Sequence, residues 1–141
     1  MNQFLNILSA LILLSSFSAL SADVNFYPVC KRTEAVRIEL EAHTHKKCHQ
    51  ITVEDMIRVK ALNLAGGSIQ RLNPWDFQNL PNLKILNLFG NQISSLPPGI
   101  FFNLVNLESL DLYRNQISSL PPRIFQNLKG LRVLYLSENQ I

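Results

Sequence analysis

The amino-acid sequence predicts an α/β repeat solenoid: a right-handed superhelix with short parallel strands on its concave face and extended or short helical turns on its convex face. Two observations carry this. Sliding the 141-residue chain against itself by 24 places brings Val59 to Leu64, Leu83 to Leu88, Leu107 to Leu112 and Leu131 to Leu136 into register. Within those blocks the leucines alternate (Leu62 and Leu64, Leu86 and Leu88, Leu110 and Leu112, Leu134 and Leu136), the period of a strand with one face in a core. A unit this small cannot bury its own apolar face, so the units must stack, and stacking pairs their strands into one parallel sheet.

In chain order, residues 1–22 read as a secretory signal peptide. Phe4 to Leu20 carries no charged side chain, and Ser18-Ala19-Leu20-Ser21-Ala22 supplies the small residues for cleavage after Ser21 or Ala22. The alternative is an uncleaved membrane anchor, for which this stretch, diluted by serines and an asparagine, falls short of the roughly twenty apolar residues a bilayer requires. No cysteine sits at its end to accept a lipid.

Residues 23–58 are expected to form an N-terminal cap. They hold the chain's two cysteines, Cys30 and Cys48. In an exported chain an even count favours one disulfide, here with a single pairing available, against the alternative of two free thiols. Closing that loop would contribute roughly 3 kcal/mol in the chain-entropy description. Thr33 is placed to N-cap a helix from about Glu34 to Ala42 with Val36 and Leu40 on one face. Thr52 and Asp55 have the spacing of a capping box opening a second helical turn.

Residues 59–141 carry the repeats: 59–82, 83–106, 107–130 and a partial 131–141. After each strand the chain turns sharply and buries backbone, which an Asn side chain can satisfy as donor and acceptor together. Asn91, Asn115 and Asn139 are therefore expected to form a hydrogen-bonded ladder between units. Pro97-Pro98 and Pro121-Pro122 forbid helix on the convex side. Phe77, Phe101 and Phe125 should stack in the wider convex half. The first unit departs twice from the others. Gly66-Gly67 stands where later units have Gly90-Asn91 and Arg114-Asn115, so the ladder begins one unit late, and Trp75-Asp76 predicts that this unit packs against the cap.

These columns match the leucine-rich-repeat consensus. With Val29-Cys30-Lys31-Arg32-Thr33 and Val36, then Cys48-His49-Gln50-Ile51-Thr52 and Asp55-Met56, the chain resembles the secreted leucine-rich-repeat proteins common in bacteria, over residues 29 to 141. The resemblance implies surface or extracellular protein recognition.

Composition narrows the function classes. With 47% hydrophobic and 16% charged residues the chain is long enough for one packed domain. A net charge of +3 without a clustered basic stripe speaks for solubility and against nucleic acid. His43, His45 and His49 with Cys48 have spacings that could hold a metal, but the disulfide claims Cys48 and Lys46 and Lys47 repel a cation. A solvated loop is the other reading, and it is the one adopted: no metal and no cofactor are expected. No nucleophile motif, phosphate-cradling glycine loop or carboxylate pair is present, so an enzyme is not expected.

Outward strand positions are free of core duty and can carry recognition. Asn87, Phe89, Asp111, Tyr113, Arg114 and Tyr135 are the expected contacts of a concave face that binds a protein ligand. A structural or spacer role in the cell envelope is the alternative. The sequence stops at Ile141 within the fourth unit. That is consistent with an N-terminal piece of a longer receptor-like protein, with end-to-end self-association through an open sheet edge, or with a tolerated monomer.

Overall fold

A computed structural model describes residues 29–141, so residues 1–28, and with them the expected signal peptide and the start of the cap, lie outside the described residues. Four three-residue strands, β1 (Ala61–Asn63), β2 (Ile85–Asn87), β3 (Ser109–Asp111) and β4 (Val133–Tyr135), form one sheet in sequence order. All pair in parallel with an unbroken register, Leu62 beside Leu86, Leu110 and Leu134. The register follows from the equal length of the units: a slip of one residue would turn the leucine column out of the core.

Behind the sheet the apolar columns fill one continuous core. Leu62, Leu86 and Leu110 are almost fully buried, as are Leu88, Leu112, Ile93, Ile117, Leu80 and Leu104. The rings of Phe77, Phe101 and Phe125 stack with 6.2 Å between successive centroids, Phe77 and Phe101 in the deep core and Phe125 partly buried. Short turns cross the convex side where Pro97 and Pro121 accept from Ile100 and Ile124.

The chain bends at the end of each strand, and the Asn ladder takes up the buried backbone there. Asn91 Nδ2 donates to the carbonyls of Leu64 and Leu88, both at 2.9 Å, while its Oδ1 accepts from Ile69 N–H at 3.0 Å. Asn115 repeats this with Leu88, Leu112 and Ile93, and Asn139 with Leu112, Leu136 and Ile117. Gly67 has no side chain to contribute, so the first rung is Asn91 reaching back into the first unit. A second set of Asn side chains ties the opposite corner. Asn82 donates to Ile57 O, Asn106 to Pro81 O and Asn127 to Phe102 O.

Two helices close the N-terminal end, α1 (Glu34–Thr44) and α2 (Val53–Met56). α1 runs two residues beyond its expected end at Ala42, and His45 in a left-handed conformation terminates it. Val36 and Leu40 on α1, with Met56 on α2, are buried in the same core as the repeats. Glu39 of α1 accepts from Asn63 N–H, covering the outer edge of β1 that would otherwise be open to another strand. Cys30 and Cys48 are disulfide-bonded with their Cα atoms 5.0 Å apart, joining two 3-10 turns, Val29–Lys31 and Cys48–Gln50.

Thr33 occupies the N-cap position of α1 but makes no side-chain bond to the helix. Its N–H and hydroxyl go instead to the carboxylate of Asp76, 2.7 and 2.5 Å away. Asp76 is fully buried, accepts also from Asn73 N–H, and its backbone carbonyl takes the Arg32 guanidinium, which donates further to Gln78 O. A buried carboxylate is costly unless every oxygen is bonded, and joining the cap to the first unit meets that requirement better than a local cap would. Thr52 and Asp55 do form their reciprocal box, at 3.3 and 2.9 Å.

Candidate functional site

Beyond each strand a left-handed residue turns the chain away from the sheet: Gly66 and Gly90, then Arg114 and Glu138 in the same column. Just ahead of that turn, Asn87 Oδ1 accepts from Phe89 N–H and Asp111 Oδ1 from Tyr113 N–H, both at 2.9 Å. Asn63 does the same for Ala65 N–H. Asn87 and Asp111, chosen as contacts from their outward position, thus shape the turn that aims the next side chain. Tyr135 stands in their column and is 54% exposed.

The side chains so aimed meet. Phe89 and Tyr113 stack face to face, 5.6 Å between centroids and 4° between planes. Phe89 remains exposed and Tyr113 half-buried, so the pair is a platform on the surface and contributes nothing to the core. Ile85, 50% exposed, Val133 and Tyr135 extend the apolar area across the outward side of β2 and β4. Ile85 and Val133 belong to the site on geometry although the choice of aromatic and charged residues passed over them. Their place in the same outward column was the available signal. Arg114 is exposed beside Tyr113. At the opening end of the strands Lys84 and Glu108 pair at 2.7 Å, and the Lys84 ammonium holds the Glu108 carboxyl below its ordinary range.

Elsewhere the chemistry is sparse. His43, His45 and His49 are all exposed, and among the described residues no group of three or more His, Cys, Asp or Glu is arranged to hold a metal. Lys46, in the same loop, pairs with Asp55 at 2.7 Å. Among the described residues no helix is long and apolar enough to cross a membrane.

The leucine rich repeat family matches residues 45–93 and 90–141. The chain belongs to the leucine-rich-repeat family. This leucine-rich-repeat chain is also similar to a solved structure, an internalin (inlF) from Listeria monocytogenes str. 4b F2365. The two are 28% identical with a TM-score of 0.69, over 83% of this chain and 34% of that one. It therefore spans about a third of the length of the internalin it resembles. No curated protein matches it in sequence. The leucine-rich-repeat fold is that of a protein-interaction module.

Proposed function

We propose that this is an extracellular or cell-surface protein-binding module that recognises a partner protein through its concave sheet face. The observation that carries the proposal is the exposed Phe89–Tyr113 stack flanked by Ile85, Val133 and Tyr135. Surfaces that stay monomeric seldom display contiguous aromatic and aliphatic groups, and rigid aromatics bind at low entropic cost. Asn87 and Asp111 hold the turns, and Arg114 and the Lys84–Glu108 pair supply the polar rim. A spacer would have no use for this arrangement.

Export rests on the character of residues 1–22 and on the Cys30–Cys48 bridge, which persists in an oxidising compartment. N-terminal sequencing of chain recovered outside the cell tests it, with Ala22 or Asp23 as the expected first residue. The binding surface is tested by capture from surface-protein extracts. Wild-type chain should retain a discrete partner that the Tyr113→Ala/Arg114→Gly double variant loses. Equal retention by both would move the site elsewhere.

A further inference from the structure

Variation between repeat units leaves one small cavity on the convex side. Trp75 of the first unit is followed in its column by Gly99 and then Arg123, while Phe102 of the second unit has Gln78 before it and Gln126 after it. At the junction of the first two units, therefore, two aromatic residues line a space beside a position with no side chain. The resulting notch has a volume of about 250 Å3. Trp75 and Phe102, 49% and 57% exposed, line it with buried Ile100, and Gln78 and Asn103 complete the lining with the polar groups. Gly99 is left-handed, and a Cβ built there would touch nothing, so the opening is real space that another residue would narrow.

We propose that this notch binds a single uncharged sugar ring of a glycan. Size comes first: at about 250 Å3 the space falls just below the roughly 300–1,000 Å3 of drug-sized sites, the scale of a small ring. Charge is next. None of the lining side chains ionises, so nothing there compensates a phosphate, a sulfate or an ammonium group, and a charged ligand would be desolvated without a partner. The third argument is chemical pattern. A pyranose presents an apolar C–H face to an aromatic ring and hydroxyl groups around its edge. Hydroxyls need donors and acceptors together, which a primary amide offers and a carboxylate or ammonium does not. Trp75 and Phe102 supply the first requirement, Gln78 and Asn103 the second. The site lies apart from the concave face, so this proposal stands or falls independently of the protein-binding one.

Trp75 is the chain's single tryptophan, so its fluorescence reports on the notch directly. The test titrates the full chain with methyl β-galactopyranoside, methyl β-glucopyranoside and N-acetylglucosamine, following Trp75 emission and the side-chain amide resonances of Gln78 and Asn103. At least one neutral sugar should give a saturable shift in both, and N-acetylneuraminic acid, which is charged, should give none. Phe102→Ala, outside the core and so expected to leave the melting temperature unchanged, should weaken that binding about tenfold. Tyr113→Ala should leave it as it was. If no neutral sugar produces a saturable change, or if a proline-rich peptide such as decaproline does so in their place, the assignment is overturned.

Discussion

A primary amide offers two N–H donors and one carbonyl acceptor, and Asn91 and Asn115 place all three on backbone groups that the strand-end turn would otherwise bury unpaired. Alanine at Asn115 strands two carbonyls and one N–H. It should therefore cost about 2–4 kcal/mol of stability in chemical denaturation. Asn115→Asp keeps the acceptor but loses both donors and adds a buried charge, so it should be no milder than alanine. Asp55 offers a test by pH. The Lys46 ammonium and Thr52 N–H hold its carboxyl at about 2 in place of 3.8. A carboxyl whose folded value is depressed contributes fully above its unfolded value and loses that contribution as pH falls through the folded one. The cap should thus loosen between about pH 4 and about pH 2, read as faster amide exchange at Met56 and Ile57. Lys46→Met should return the Asp55 midpoint, followed by NMR, toward its ordinary range. Arg123 is left-handed where the previous unit has Gly99. Arg123→Gly relieves that conformation but frees the unfolded chain, so thermal unfolding should show a change within about 1 kcal/mol. The Asn ladder was legible because it repeats every 24 residues. The roles of Thr33 and Glu39 were not, because each is a non-local contact with no period to announce it, while Asp76 was legible only as part of the departure by which the first unit meets the cap.

At the scale of elements, strands of three residues hold only because each neighbour supplies both the ladder and half the core. Phe101 sits between two stacked rings and is fully buried, so Phe101→Ala should cost about 3–5 kcal/mol. Phe125, partly exposed, should cost less under the same denaturation protocol. The cap is fixed by α1 on β1, by the Asp76 latch and by the Cys30–Cys48 bridge. Repeat periodicity identified the strands and their faces before any geometry was known, since a column of leucines admits one register. The helices were found from caps and apolar spacing, and the end of α1 was misjudged because the left-handed stop at His45 has no strong sequence signal.

Over the whole molecule, stability and recognition divide between the two faces of one sheet. The inward leucines are nearly invariant across units because the core demands it, while the outward columns run from Ala61 and Ala65 in the first unit to Phe89, Tyr113 and Tyr135 in the later ones. That gradient located the candidate face from sequence. The stacking of Phe89 on Tyr113 and the turn-holding duty of Asn87 and Asp111 emerged only when neighbouring units were set side by side. The most direct test of the concave face as the binding surface is site-specific photo-crosslinking against surface-protein extract. A benzophenone side chain would replace Tyr113 on that face in one variant and the exposed Lys129, in the loop that leads into β4, in another. The account predicts a discrete adduct from position 113, displaced by excess wild-type chain, and none from position 129. An adduct from position 129 alone, or equal adducts from both, would contradict it.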